Sequence, residues 1–271
     1  MDRSSSKPSK PKPSPSHHGR GSLKETEFTL YGWNACRQVF EARPEDILRV
    51  FYLKQRSSQI KDVLRWCREH RLPYRELDVE SLNKVAKGTH HEGLVIVVRP
   101  AKLPSAMGLA RKGLAPGTIM VALDGIDNSH NVGAILRTCA FFNAAGMILH
   151  SRETSMISPS MARTAEGALE TVPLYDSKNL ASTLRDLKNK KVFVLGADLK
   201  ADRSLYDLEI PLPCVVVLGN EQKGLSTQVR QRCDAVVHIP GSPQMQSLNV
   251  SVAAGVVLAE LTRRRTTGKP R

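Results

Sequence analysis

Polar side chains that could bind an oxyanion follow an apolar segment in the second half of the chain. After a predicted strand at 118–123, residues 127–137 read Asp-Asn-Ser-His-Asn-Val-Gly-Ala-Ile-Leu-Arg. Asn131 is suited to cap a helix, and Arg137, six residues later, is expected toward the same helix side. A guanidinium there can hold a phosphate or carboxylate through two hydrogen bonds. A cap followed by a solvated arginine is also ordinary, so this segment alone does not define a site.

A second segment combines a buried strand with a glycine-flanked polar turn. Residues 217–226 read Val-Leu-Gly-Asn-Glu-Gln-Lys-Gly-Leu-Ser. Such a turn lets backbone N–H and C=O groups approach a ligand closely, and Glu221 is placed to meet a cation or a donor. The fingerprints of dinucleotide and triphosphate sites are absent from the sequence. Glu221 could equally be a carboxylate at a helix terminus.

The third segment precedes the last predicted helix. Residues 239–255 read Ile-Pro-Gly-Ser-Pro-Gln-Met-Gln-Ser-Leu-Asn-Val-Ser-Val-Ala-Ala-Gly. Ser247 and Asn249 stand where the helix should begin, and the small residues after them allow close packing against a partner or a ligand. Serine and asparagine are also favoured helix caps, which leaves a purely structural interpretation open.

Together, the three segments resemble the three motifs of the SpoU/TrmH family of the SPOUT superfamily, whose members are ribose 2′-O-methyltransferases of tRNA and ribosomal RNA. The matching patterns are Asn-x-Gly-x-x-x-Arg, then Leu-Gly-Asn-Glu-x-x-Gly-Leu-Ser, then Ile-Pro followed by Ser-Leu-Asn-Val-Ser-Val-Ala. The stretch 163–170 is similar to the family's segment between the first two motifs. The resemblance covers residues 118–262, and residues 25–100 more weakly resemble the ribosomal-protein-like substrate-binding domain of many members.

The resemblance implies a fold, a cofactor and an assembly. It implies an α/β protein whose C-terminal parallel-sheet domain contains a trefoil knot and is preceded by a smaller α/β domain. S-adenosyl-L-methionine is expected in the knot, and a homodimer with the last helix in its interface is expected as the assembly. No metal is expected, because the histidines are adjacent in pairs or isolated along the chain.

The resemblance also implies roles for individual residues. Arg137 would be the main catalytic residue, holding the phosphate beside the target ribose and favouring its alkoxide. Proton removal would be shared with that phosphate, because an unaided guanidinium is too basic to act as the base. The other catalytic residues implied are Asn131, Glu221, Ser247 and Asn249. The cofactor-binding residues implied are Leu218, Gly219, Asn220, Ile239, Met245, Ser247 and Leu248.

One departure from the family pattern leaves alternatives open. Many members have Met after the Ile-Pro pair and Gly two positions later, whereas this chain has Gly241 and Pro243. The loop keeps its length, so cofactor binding is expected with altered adenine contacts. The alternatives are an RNA-binding protein of this fold that acts in ribosome assembly without methyl transfer, a metabolic α/β enzyme with basic tails, and base rather than ribose methylation. The sequence does not choose between tRNA and ribosomal RNA, although the front domain slightly favours the latter.

The elements that must position these residues alternate between strand and helix. In the second unit the predicted strands are 118–123, 146–150, 192–195, 214–218 and 235–239. The predicted helices are 131–142, 159–169, 180–189, 225–232 and 247–262. Such alternation predicts a parallel sheet whose ligands bind outside the carboxyl ends of its strands.

The front unit has its own alternation. Its predicted helices are 32–43, 59–70 and 79–87, and its predicted strands are 47–53, 72–77 and 93–98. The proline- and glycine-containing stretch 101–117 is interpreted as a linker, residues 118–262 as the methyltransferase domain, residues 1–24 as a disordered basic tail and residues 263–271 as a basic C-terminal tail.

Charge is concentrated at the two ends of the chain. The net charge is +14, of which each terminal segment carries +5. Basic ends of this kind are typical of segments that bind a polyanion, so RNA is the expected partner. Five widely spaced cysteines, no apolar run long enough to span a membrane and no secretory leader predict a cytoplasmic protein.

Overall fold

A computed structural model describes residues 27–242, 244 and 247–267 of the chain. The first 26 residues and the last four, where most of the basic tails fall, lie outside it, as do Pro243, Met245 and Gln246. The strands are β1 Phe28–Tyr31, β2 Ile47–Leu53, β3 Tyr74–Leu77, β4 Leu94–Val98, β5 Ile119–Asp124, β6 Met147–His150, β7 Leu174–Ser177, β8 Phe193–Ala197, β9 Arg203–Ser204, β10 Cys214–Gly219 and β11 Ala235–His238. The α-helices are α1 Trp33–Ala42, α2 Lys61–Glu69, α3 Val79–Ala86, α4 Ala106–Lys112, α5 Ser129–Phe141, α6 Ser151–Thr154, α7 Pro159–Thr164, α8 Ala168–Thr171, α9 Leu180–Lys188, α10 Thr227–Arg230 and α11 Val250–Thr267.

The C-terminal unit is a seven-stranded sheet in the order β7-β6-β5-β10-β8-β11-β9, and every pair in it is parallel. β5 and β10, the central pair, are apolar almost throughout, because helices cover both faces of the sheet. One core lies under α5, α7 and α11, and a second lies under α4, α9 and α10. The expectation of an α/β fold with a parallel sheet is confirmed.

The front unit is a four-stranded sheet in the order β1-β4-β2-β3, in which only β2 and β3 run parallel. Its core includes Ala162 from α7 of the C-terminal unit, so the two units share apolar contacts. A buried ion pair reinforces this junction: Arg43 donates to both carboxylate oxygens of Glu170, at 2.7 and 2.9 Å.

The stretch expected to be a linker contains a helix that belongs to the C-terminal unit. Ala106 and Ala110 of α4 are buried against α9, and Ser105 bridges to Asp176 at the edge of the sheet. The sequence obscured this because α4 is short and is flanked by glycines and prolines. The sequence analysis did not predict the strands β1, β7 and β9 either.

The C-terminal helix is longer than expected and includes part of the presumed basic tail. α11 continues to Thr267, and the interpretation of residues 263–267 as tail is wrong. Arg264 pairs with Glu260 and donates to the backbone carbonyls of Leu205 and Leu208, and Arg265 donates to the carbonyl of Phe142. These arginines therefore hold the helix end against the domain.

Candidate active site

The carboxyl ends of β5, β10, β8 and β11 are neighbours at one edge of the sheet. Gly219 at the end of β10 is in register with Asp124 at the end of β5, and Leu218 is in register with Ala197 of β8. The segments that leave these strands therefore converge. All three polar segments identified in the sequence contribute to this edge.

The turn after β10 is closed by two backbone hydrogen bonds between Asn220 and Gly224, at 3.1 and 2.9 Å. A Cβ on Gly219 would stand 2.4 Å from the carbonyl carbon of Gly224, so only glycine fits there. Gly224 itself has φ +70°, a conformation that side chains rarely adopt. The glycines that flank the motif are thus required by the shape of the turn.

The Asn220 side chain ties this turn to the segment after β5. Its amide nitrogen donates to the Gly125 carbonyl at 2.8 Å, and its oxygen accepts from the backbone N–H groups of Gln222 and Lys223. The backbone N–H of Gly125 donates a hydrogen bond to the Glu153 carboxylate at 2.7 Å. Burial raises the pKa of the Glu153 carboxyl, and its second oxygen has no partner among the described residues.

A pocket opens beside this turn, between the ends of β8, β10 and β11. Its apolar walls include Leu218, Ile239 and Leu248, and polar groups are supplied by Asn220, Glu221 and Ser247. Two leucines of its lining are exposed, Leu248 by 50 % and Leu199 by 61 %. Exposed leucines facing one cavity provide apolar surface for a flat ligand.

All the residues expected to bind the cofactor line this pocket, apart from Met245, which lies outside the described residues. The stretch after β8 also lines it, with Asp198, Leu199 and Lys200, and was missed. The Asp198 carboxylate forms an ion pair with Arg230, whose guanidinium donates to it at 2.6 Å. Its position directly after a central strand was the available signal, because ligands of parallel sheets contact the residues after several strand ends.

A chain of side-chain hydrogen bonds links all three sequence segments. Asn131 donates its amide to Glu221 and accepts from Asn249 at 3.1 Å. Asn249 in turn accepts from the backbone N–H and the hydroxyl of Ser251, at 2.9 and 2.6 Å. Glu221 and Ser247 line the pocket, whereas Asn131 and Asn249 do not; Asn131 contacts Glu221 directly, and Asn249 contacts Asn131.

Asn131 does not cap its helix. The cap of α5 is Asn128, which accepts from the His130 N–H at 2.9 Å, and Asn131 stands in the first turn with its side chain free to reach Glu221. Asparagine and serine at several successive positions made the capping residue ambiguous in the sequence.

Arg137 lies on a different side of α5 from Asn131, contrary to expectation. Six residues of α-helix rotate a side chain about 240° beyond one turn, so the two residues diverge. The Arg137 side chain is 64 % exposed and does not line the pocket, and its guanidinium is 3.9 Å from Glu166. Within the described residues of a single chain, Arg137 therefore lies outside the cavity.

No group of three His, Cys, Asp or Glu side chains suited to a metal occurs in the described residues. The helices of that same part are too short or too polar to cross a membrane.

Comparison with solved structures identifies this fold. The fold aligns with the SpoU methyltransferase AviRb of Streptomyces viridochromogenes, with a TM-score of 0.75 at 23 % identity over 90 % of this chain and 92 % of that one. It also aligns with an RNA methyltransferase of the TrmH family from Porphyromonas gingivalis, with a TM-score of 0.70 at 25 % identity over 89 % and 92 %. The fold is therefore that of a SpoU-type methyltransferase.

Family profiles and curated relatives give the identification. The SpoU rRNA Methylase profile matches residues 118–259, and the profile for RNA 2′-O ribose methyltransferase substrate binding matches residues 29–104. The chain is 31 % identical over 237 residues, 87 % of its length and 95 % of the relative's, to the 23S rRNA (guanosine-2′-O-)-methyltransferase RlmB of Neisseria meningitidis. It is 35 % identical to an uncharacterized tRNA/rRNA methyltransferase of Mycobacterium avium, over 89 % of this chain and 78 % of that one. The chain belongs to the SpoU rRNA methylase family, and its recognition from the three motifs is confirmed.

Proposed function

We propose that this protein is an S-adenosyl-L-methionine-dependent RNA methyltransferase that methylates a ribose 2′-hydroxyl. The observation that carries the proposal is the convergence of all three motifs at one edge of the sheet, joined by the chain Glu221–Asn131–Asn249–Ser251. Family membership over 118–259 and a substrate-binding domain over 29–104 support the same activity.

The pocket fits the cofactor by its chemistry. Leu218, Ile239 and Leu248 offer apolar surface to an adenine ring, and the backbone at the ends of β10 and β11 offers polar groups to its edges. Glu221 and Ser247 can meet hydroxyl or ammonium groups. When bound, the cofactor supplies an electrophilic methyl group.

The target hydroxyl is a poor nucleophile until its proton leaves, so the site must favour the alkoxide. We assign this task to Arg137, which holds the neighbouring phosphate and stabilises the developing negative charge. Asn131, Glu221, Ser247 and Asn249 shape the wall against which the ribose lies. The proton is removed with the help of the bound phosphate, because a guanidinium stays protonated and is a poor base.

The substrate proposed is ribosomal RNA. The front unit matches the substrate-binding profile, and the relative from Neisseria meningitidis is named for 23S rRNA guanosine. A guanosine ribose in the large ribosomal RNA is therefore the first target to test, with tRNA as the comparison.

The proposal extends to topology, assembly and location. A trefoil knot is supported by the path of the chain, which leaves β11 near one edge of the sheet, lines the pocket and then enters α11 packed on α5. A homodimer is supported by Phe141 of α5, 82 % exposed, and Val252 of α11, which leave apolar surface on adjacent helices. We also propose a cytoplasmic location, which an RNA substrate supports.

Mapping of 2′-O-methyl groups in ribosomal RNA and tRNA from cells with and without the protein tests the function. The expected result is one nucleotide that loses its methyl group when the gene is deleted and regains it in vitro with purified protein and S-adenosyl-L-methionine. If no site changes and calorimetry finds no cofactor binding at millimolar ligand, the protein is an RNA-binding relative without methyl transfer.

A further inference from the structure

Glu166 stands at the junction of the two units and faces the arginine assigned to chemistry. One oxygen of its carboxylate, Oε1, lies 3.9 Å from a terminal nitrogen of Arg137 and 3.6 Å from one of Arg163. The other, Oε2, accepts a 2.5 Å hydrogen bond from the Asn34 amide of the front unit. One side chain thus touches both the front domain and Arg137.

The same contacts continue into the front unit through Arg163. Its Nη2 pairs with Glu92 at 3.0 Å, and its Nε donates to the His90 carbonyl at 2.8 Å. Glu92, Arg163, Glu166 and Arg137 therefore alternate in charge across the junction. Arg137, at the end of this series, has the most exposed side chain of the four, and its guanidinium makes no hydrogen bond within the described part of the chain.

The backbone conformation of Glu166 ends α7 and turns the chain toward the junction. Its φ is +53°, in the left-handed region, where glycine and asparagine are favoured and where most other residues are strained. A left-handed residue is a common way for a helix to end, and here it brings the carboxylate to the junction between the two units. The role proposed for Glu166 rests on the contacts of that carboxylate.

We infer that Glu166 is a positioning residue: it orients the Arg137 guanidinium for catalysis, and it does so only when the front domain is docked against it through Asn34. This inference rests on the proposed methyl transfer and goes beyond it by linking the RNA-binding unit to the catalytic arginine. Glu166 acts through Arg137 and contacts neither the pocket nor the cofactor-binding turn.

The exposed Arg137–Glu166 pair contributes little to stability, so its value lies in geometry. A misplacement of about 1 Å in a catalytic group can slow a reaction on the order of 100-fold. Removing the carboxylate also removes a negative charge from the place where a phosphate is to bind. RNA affinity should therefore stay the same or rise while the rate falls, a combination that a structural role does not produce.

The test is a single-turnover assay with saturating RNA and S-adenosyl-L-methionine, using the full chain. Glu166→Gln should lower the rate between about 10- and 100-fold, with the RNA dissociation constant no higher than that of the wild type. Glu170→Gln is the matched control, because Glu170 on α8 also contacts the front unit, through Arg43, and has no ion pair with Arg137 within the described residues. It should lower the melting temperature more than Glu166→Gln does and slow the reaction less.

A double-mutant cycle decides whether Glu166 works through Arg137. If it does, Glu166→Gln adds no further loss to Arg137→Ala, whereas independent roles would give multiplicative losses. Asn34→Ala should reproduce part of the Glu166→Gln defect. A rate within twofold of wild type for Glu166→Gln, a multiplicative double variant, or a loss of RNA affinity that matches the loss of rate would each overturn the inference. An inactive wild type would instead refute the proposed function, so the two failures are distinguishable.

Discussion

Replacing Gly219 with alanine should break the turn on which the pocket depends. The added Cβ would lie 2.4 Å from the Gly224 carbonyl carbon, 2.6 Å from its oxygen and 2.6 Å from the Leu225 nitrogen. All three are backbone atoms, so no side chain can rotate away to relieve the contact. The turn must open, and the two hydrogen bonds between Asn220 and Gly224 must lengthen or break.

The size of this effect follows from its parts. Overpacking a tight site costs roughly 1–3 kcal/mol, and two backbone hydrogen bonds contribute about 0.5–1.5 kcal/mol each. The total is about 2–6 kcal/mol in the free energy of unfolding. At roughly 2–4 °C per kcal/mol for a protein of this size, the melting temperature should fall by at least about 4 °C.

Gly108 provides the matched control. It is exposed within α4, and a Cβ there would meet no atom within 4 Å. Gly108→Ala should therefore stabilise the protein by roughly 0.5–1 kcal/mol through the helix alone. Scanning calorimetry measures both variants, and titration with S-adenosyl-L-methionine should show at least about tenfold weaker binding for Gly219→Ala only, since 1.4 kcal/mol of the turn's distortion is enough for that loss. A Gly219→Ala protein that melts within 2 °C of wild type and binds the cofactor normally would refute this account of the turn.

Three further predictions test other parts of the molecule. Arg137→Ala should reduce the single-turnover methylation rate by more than tenfold, which corresponds to an increase of about 1.4 kcal/mol in the activation free energy. Cofactor affinity should stay within twofold of wild type because Arg137 lies outside the pocket, and a smaller loss of rate would show that Arg137 is not catalytic. The hydrogen bond from Arg263, aided by Arg264, lowers the pKa of Glu260 to about 2, so this carboxylate stabilises the fold above pH 4.5 and loses its contribution as the pH falls toward 2. In acid denaturation, Glu260→Gln should abolish that part of the pH dependence of stability, and identical profiles for the variant and the wild type would contradict the prediction. Deleting residues 1–22, which hold five Lys and Arg against one Asp, should weaken RNA binding and reduce the slope of log affinity against log salt concentration. Cofactor affinity, the control, should not change, and an unaltered slope would show that this segment does not contact RNA.

The wall of the pocket could be predicted from the sequence because its signals are local. Buried strands such as 214–219 show as apolar runs, and the glycines after them mark a turn that only glycine can form. The rule that ligands bind beyond the carboxyl ends of parallel strands then places Asn220, Glu221 and Ser247 together. The motif resemblance added the cofactor to a location that general physical reasoning had already indicated.

The parts that were missed depend on contacts between distant residues. Arg137 and Glu166 are 29 positions apart, and nothing in their spacing indicates that the turn after α7 brings them together. The run Arg263–Arg265 has the composition of a tail, but its members find Glu260 and backbone carbonyls of neighbouring loops, and the helix continues. Charge content alone cannot distinguish a basic segment that is solvated from one that is held by acceptors.

The position of Arg137 outside the pocket follows from what the site must do. A cofactor pocket has to exclude water and hold an apolar ring, which disfavours an unpaired guanidinium within it. A residue that holds an RNA phosphate must instead face the surface on which the RNA lies. Arg137 meets that requirement, because it is exposed on α5 beside the segment 163–170 that carries the front unit. Asn131, six residues nearer the start of the same helix, contacts the pocket wall through Glu221. One helix thus contacts the pocket wall on one side and presents Arg137 on another, so the proposed mechanism requires the reacting ribose to lie where these two sides meet.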